Sequence, residues 1–302
     1  MSRLVEIASS ELVAQVNPLG AELWSLTDAA GREYLTDANP AFWTGRAPLL
    51  FPIVGALNGG RYRVDGREYA LAKHGFARTS AFAVAEHDSS RALFRLADGE
   101  ATRAAYPFRF VLEMEFVLAG ATLSMVATVR NPGAAPLPFS FGFHPAFAWP
   151  LPGGAAKADH AIVFECEEPE AIRRIDGNGL VAGSEPTPVA GRELALREAL
   201  FDDDALIWDG LRSRSCSYGA SGGARLDIAF PDMPMLGVWQ KPGARYVCIE
   251  PWAGIADPVG FAGDFRDKPG VMELAPGGSR RFRMDVTVAG REASGGPMDA
   301  AR

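Results

Sequence analysis

Cysteine and histidine are scarce in this chain, with three of the one and four of the other among 302 residues. Cys166, Cys216 and Cys248 stand far apart and form no CxxC pair. So low and odd a count excludes a disulfide framework, points to a reducing compartment, and offers no zinc motif by spacing. Long apolar runs are missing too. Nothing approaches the roughly 20 residues that a membrane-spanning helix needs. The opening "MSRLVEIASSELVAQVNP" lacks an apolar stretch ahead of a small-residue cleavage site, so no signal peptide is read. Basic clusters are absent and the formal net charge is −7, which excludes a nucleic-acid surface. There is no GxxxxGK[ST] phosphate loop, no HExxH, and no serine in a nucleophile context. The expectation is a cytoplasmic protein with neither a membrane nor a nucleic acid as partner.

What the chain has in quantity is alternation. In "FRFVLEMEFVL", Phe108, Phe110, Leu112, Met114, Phe116 and Leu118 are apolar, while Arg109, Glu113 and Glu115 fall between them. "TLSMVATVRN" sets Leu123, Met125, Ala127 and Val129 against Thr122, Ser124, Thr128 and Arg130. "RFRMDVTV" repeats the pattern with Phe282, Met284, Val286 and Val288. A period of two gives a strand one buried and one wet face. "AGA" at 119–121 and Asp65-Gly66 read as hairpin turns. The 33 glycines and 22 prolines punctuate strands and do not gather into linkers. "GRELALREAL" at 191–200 reads as a short helix, and "NPAFWTG" as room for one helical turn. The fold class expected is all-β: a large antiparallel β-sandwich with few short helices, spanning 1–289 as one domain. Residues 290–302, "GREASGGPMDAAR", read as a disordered tail.

Against this background a few polar residues sit where burial is expected, and a buried polar group costs free energy unless it is hydrogen-bonded. They are His144 in "FSFGFHPAFAWP", Glu250 in "YVCIEPWAG", His74 in "LAKHGFART" and Asp204 in "LFDDDALIW". Taken singly, each has an ordinary reading as a core histidine, a strand-end carboxylate or a solvated loop. His87 and His160 are assigned to surface loops. Together, two histidines and two carboxylates at strand ends suggest one site at the mouth of a sandwich. Phe143, Phe147, Trp149, Trp239 and Trp252 accompany them. Aromatic rings pack on the C–H faces of a pyranose while carboxylates and imidazoles take its hydroxyls, so a sugar is the expected ligand.

At these residues the sequence resembles the aldose 1-epimerase (mutarotase) family, in its LacX-like branch. The segments that carry the resemblance are "LLFPIVG" (49–55), "KHGFAR" (73–78), "FGFHPAF" (141–147), "DALIW" (204–208), "GVWQKPGARYVCIEPWAGIAD" (237–257) and "LAPGGSRRFRM" (274–284). They run in family order along nearly the whole chain. The resemblance implies the galactose mutarotase-like supersandwich and an isomerase that interconverts the α and β anomers of a hexose. It implies Glu250 as general base, His144 as general acid, and His74 with Asp204 on the sugar; Asp203 is the alternative to Asp204. Arg78 and Trp252 are further substrate-binding candidates. Neither cofactor nor metal is implied, and the partner is a small sugar, free or phosphorylated, on a monomer or homodimer. One position departs: Ala56 stands where many relatives carry a sugar-binding arginine, with Arg61 or Arg78 as substitutes. Arg61, Arg63, Arg67 and Arg78 are candidates for a phosphate-binding cluster.

Ring opening needs a base for the C1 hydroxyl and an acid for the ring oxygen. Ordinary pKa values make glutamate the base and a histidine beside a carboxylate the acid, placed on opposite sides of the sugar. The competing readings are a hexose-6-phosphate 1-epimerase, a non-catalytic sugar-binding or sensing protein, and a glycosidase that pairs Glu250 with Asp204.

Overall fold

A computed structural model describes residues 3–289. The tail expected at 290–302 lies outside the described residues. Two large antiparallel sheets dominate. The first has nine strands, in the order Glu193–Ala195, His160–Phe164, Ser215–Ala220, Arg225–Ala229, Ser279–Ala289, Thr122–Arg130, Val111–Ala119, Arg91–Ala97 and Ala83–His87. The second has eight. Its main path runs Val181–Glu185, Ile172–Ile175, Leu206–Trp208, Met235–Trp239, Tyr246–Ala253, Phe141–Phe143 and Leu49–Leu50, and Ala146–Ala148 pairs with Tyr246–Ala253 beside Phe141–Phe143. A three-stranded sheet of Val5–Ala8, Leu12–Asn17 and Glu22–Asp28 adds to the same core. The all-β sandwich read from alternation is therefore the architecture found.

The alternation also fixes which faces meet. Leu112, Met114, Phe116 and Leu118 share a core with Leu123, Met125, Ala127, Val129, Phe282, Met284 and Val286. From the opposing sheet the same core receives Leu206, Trp208, Leu236, Val238, Val247 and Ile249. Each such large side chain contributes about 1.5–3 kcal/mol by leaving water. The two hairpins read from sequence are present. Asp65 and Gly66 both take positive φ, at 51° and 73°, between Arg61–Val64 and Arg67–Ala70. Gly120, at φ 55°, turns Val111–Ala119 into Thr122–Arg130.

Helix is rare, and one expected helix is absent. Residues 191–200 hold the strand Glu193–Ala195 and the start of the 3₁₀ turn Glu198–Phe201. Leu194 and Leu196 enter the core when that strand pairs with His160–Phe164, and this pairing overrides local helix propensity. Among the described residues the one α-helix is Glu100–Ala105, which the sequence reading missed. Among the described residues no helix is long and apolar enough to cross a membrane. "GASGG" at 219–223 matches GxSxG by its letters. It lies in the turn between two antiparallel strands, and not in the strand-to-helix elbow that exposes a nucleophilic serine. His160, expected at the surface, is buried. Its Nε2 accepts from the Leu151 N–H at 3.1 Å, and Nδ1 lies 2.9 Å from the Ala156 carbonyl. His87 is exposed, as expected.

Candidate active site

The strand Tyr246–Ala253 is buried on both faces, which hides its alternation from a hydropathy reading. Val247, Ile249 and Ala253 enter the sandwich core. Tyr246, Cys248, Glu250 and Trp252 take the other face by the two-residue period of a strand. There a cleft of ≈ 230 Å³ opens. Glycines beside the strand shape its floor. Gly142 pairs with Trp252 and Gly237 with Glu250. A Cβ at Gly237 would lie 2.5 Å from the Trp252 ring, and one at Gly142 would lie 2.6 Å from it. Both neighbours must lack side chains for the indole to lie flat across the sheet.

The same register brings the polar pair together. Gly142 is opposite Trp252 and Ala146 is opposite Cys248, so His144 falls across from Glu250. The Ile249 N–H donates to the Pro145 carbonyl at 3.2 Å and closes this stretch. Residues directly opposite in an antiparallel pair hold their Cβ atoms about 4.5–5.5 Å apart. His144 Nε2 accordingly lies 3.1 Å from Glu250 Oε2, with His144 7% and Glu250 2% exposed. The pair was expected to face a ligand from opposite sides; instead its members touch. The His144 ring packs against Trp43 at 5.0 Å between centroids and meets His74 edge-on at 5.7 Å.

His74 is held by a two-bond clasp. Its N–H donates to the Gly55 carbonyl at 2.9 Å, and the Gly55 N–H donates to its Nδ1 at 3.1 Å. Because Nδ1 accepts, a neutral His74 carries its proton on Nε2. Two glycines permit the clasp. A Cβ on Gly55 would lie 2.4 Å from the Ala256 Cβ, and one on Gly75 would lie 2.3 Å from the Phe51 carbonyl oxygen.

The cleft lining includes Glu250, His144, His74, Asp204, Arg78 and Trp252, which were all singled out from sequence. Asp204 lines it and Asp203 does not. Asp204 takes φ 67°, and its loop is pinned where Arg174 Nη1 donates to the carbonyls of Leu200 and Asp204 at 3.3 and 3.2 Å. Other expectations fail. Phe143, Phe147 and Trp149 lie in the sandwich core, not at the cleft. Arg61 and Arg63 pair with Glu68 beside a different pocket, so the arginine cluster does not form at this site. Trp43 and Lys73 line the cleft without having been named for it. Lys73 adjoins His74 in "KHGF", so its neighbour was the available signal. Trp43 had none, since it arrives from a separate loop.

Burial opposes charge on the central pair. It drives His144 down to about 3, reinforced by the positive charge of Arg78 and Lys73 and opposed by a contact to its own backbone. It pushes Glu250 well above the usual carboxylate range, with Asp204 acting the same way and Lys73, Arg78 and the Trp252 indole opposing. Both shifts favour the neutral forms, with the proton between the two groups on the carboxyl and not on the imidazole. They run against the expected arrangement of an ionised Glu250 beside a cationic His144. Burial also holds His74 well below its ordinary value, with His144, Lys73 and Arg78 adding to the effect. Lys73 and Arg78 have no ion-pair partner among the described residues.

Such a site can pass a proton between two oxygens of one small ligand. The aldose 1-epimerase family model matches residues 3–286. The chain belongs to the aldose 1-epimerase family. It is 30% identical over 295 residues to the LacX protein of Lactococcus lactis subsp. lactis, covering 94% of this chain and 99% of that one. Among solved structures it resembles a galactose mutarotase related enzyme from Lactobacillus acidophilus, at TM-score 0.89 and 31% identity over 96% of this chain and 98% of that one. A galactose mutarotase-like protein from Lactobacillus casei aligns at TM-score 0.87 and 28% identity, covering 95% of this chain and 100% of that one. The family and the galactose mutarotase-like fold are thereby shown.

Proposed function

We propose that the chain is an aldose 1-epimerase that interconverts the α and β anomers of a hexose by general acid–base ring opening and closure. The observation that supports this most is the buried His144–Glu250 pair, 3.1 Å apart at the floor of a small-molecule cleft. Ring opening removes a proton from the C1 hydroxyl and adds one to the ring oxygen. Those two oxygens share a carbon, so adjacent donor and acceptor atoms can serve both. Transfer of the resting proton from Glu250 to His144 makes the carboxylate the base and the imidazolium the acid. After rotation about C1–C2 the aldehyde presents its other face, and the pair works in reverse. The net proton count of the pair is unchanged over the cycle. Positioned transfers of this kind contribute about 10²–10⁴-fold. Trp252 offers a flat apolar face for the sugar ring, and His74 Nε2–H, Arg78 and Asp204 offer hydrogen bonds to hydroxyls.

A phosphorylated hexose is a second reading with its own support. Lys73 and Arg78 are cleft-lining cations without carboxylate partners. Ala56 stands where the resemblance implies a sugar-binding arginine, and its Cβ and Lys73 Nζ converge beside Gly179. They lie 3.4 and 3.5 Å from where a Cβ on that glycine would be. Lys73 thus brings a cation close to Ala56. Anomer exchange by NMR, over free hexoses and their 6-phosphates, tests both readings. Faster exchange of free sugars supports the first and preference for the phosphates the second. Binding without any acceleration would overturn catalysis in favour of a sensor, and release of a reducing end from a glycoside would favour a hydrolase.

A further inference from the structure

The face that carries Glu250 and Trp252 also carries Cys248, buried between the strand and the rings of Trp43 and Trp239. Sequence spacing gave no metal motif, yet the register collects one. One nitrogen of His144, Sγ of Cys248 and a carboxylate oxygen of Glu250 all lie within 4.8 Å of one another. We propose that this floor is a binding site for a thiophilic divalent cation, Zn²⁺ or Cd²⁺, and that an ion bound there switches off the proton relay. This second half rests on the acid–base reading above, whereas the first half does not.

The donor set selects the ion. Thiolate, imidazole and carboxylate together suit zinc-like ions and not Mg²⁺ or Ca²⁺, which prefer oxygen ligands alone. Zinc takes nitrogen and oxygen at about 2.0–2.2 Å and thiolate at about 2.3 Å, so neighbouring N and O donors of a tetrahedral site stand about 3.3 Å apart. The 3.1 Å between His144 Nε2 and Glu250 Oε2 is close to that separation. His144 has a further feature of an unfilled site: its Nδ1 is buried without a hydrogen-bond partner. A metal ion would give that buried ring a partner in place of a missing hydrogen bond. His144 and Glu250 line the cleft, which gives the ion an entry path and leaves a fourth position for water. Lys73, Arg78, Asp204, His74 and Tyr246 are the other titratable groups nearby; Lys73 and Arg78 oppose a cation and Asp204 favours one. Thiolate and carboxylate together neutralise a dication. Loading therefore displaces the thiol proton to solvent, together with any proton that the His144–Glu250 pair holds.

Cys248 touches no substrate atom in the mechanism above, which makes the test clean. Cd²⁺ is titrated into the full chain while the ultraviolet thiolate-to-cadmium absorption band and anomer exchange are followed. The expected result is one band-forming ion per chain, loss of exchange at the same stoichiometry, and, with chelator, loss of the band and return of exchange. Cys248→Ala should retain the parent rate without metal and lose the band. Its sensitivity to Cd²⁺ should fall by more than the roughly 10–100-fold that loss of a mere supporting partner costs. Cys166→Ser, which alters the exposed thiol, should behave as the parent. A band that survives Cys248→Ala, or no stoichiometric band in the parent, overturns the site. A band with full activity retained overturns the switch. If no sugar is turned over by the metal-free parent, the acid–base reading fails and the absorption titration still decides the site.

Discussion

Two buried acid–base pairs lie on either side of the segments around residues 55–58 and 255–257, and they are built differently. In the pocket near Lys268 the side chains of Lys268 and Asp257 are 0% and 3% exposed, and Nζ lies 2.9 Å from Oδ1. Lys268 Nζ also donates to the Ile255 carbonyl at 2.5 Å, and Asp257 Oδ2 accepts the Asn58 N–H at 2.8 Å. Backbone groups thus complete this pair and tie three stretches of chain together. His144 and Glu250 are equally buried, but His144 Nδ1 has no partner and both members are driven toward their neutral forms. A buried charge pair stabilises only when further hydrogen bonds complete it. The pair around Lys268 meets that condition and reads as a structural tie. The pair around Glu250 is driven toward its neutral forms, and two cations without ion-pair partners among the described residues, Lys73 and Arg78, line the same cleft.

The comparison can be broken from either side. The largest effect is expected from Glu250→Gln, which should lower the exchange rate by about 10²–10⁴-fold while sugar binding and Tm survive. Equal rates by polarimetry would remove Glu250 from the mechanism. Asp257→Ala should do the opposite. It should cost about 3–5 kcal/mol in denaturant unfolding by leaving Lys268 buried and unpaired, with kcat retained in the folded fraction. A large fall in kcat without lost stability would make Asp257 part of the site. His144→Asn should lower kcat far more than it raises KM; a change in KM alone would make His144 a binding residue only.

The smallest effect concerns pH. A single proton stays on the pair from about 3, where His144 would gain a second, up to the raised pKa of Glu250, where the last is lost. Below that window no base remains, and above it no acid. Titration of His144 should therefore change the rate less than about twofold between pH 5 and 7, where an ordinary histidine would titrate. A sharp step near pH 6.5 would show that His144 is not held in its neutral form.

Much of this was legible beforehand, for identifiable reasons. The strands around Leu112 and Leu123 announce themselves because one face is wet. Asp65-Gly66 announces its turn because both residues must take positive φ. Glu250, His144 and His74 stand out because polar residues in apolar runs need partners. The failures have causes of the same kind. Residues 191–200 carry helix-forming side chains, and cross-strand pairing of Leu194 overrides them. His160 sits in a polar stretch, yet the Leu151 N–H and the Ala156 carbonyl let it be buried at little cost. Cys248 looked like an isolated thiol because its neighbours His144 and Glu250 reach it only through strand register.

By itself, then, the sequence determined the strand faces, the turns and the inventory of acids and bases, since periodicity and backbone stereochemistry act between residues a few positions apart. Only the tertiary structure decided that His144 meets Glu250, that Asp204 and not Asp203 reaches the cleft, and that Arg61 does not. Those outcomes depend on which strands pair and in what register. Gly142 opposite Trp252 and Ala146 opposite Cys248 join segments about a hundred residues apart, and a one-residue slip would turn every side chain to the other face.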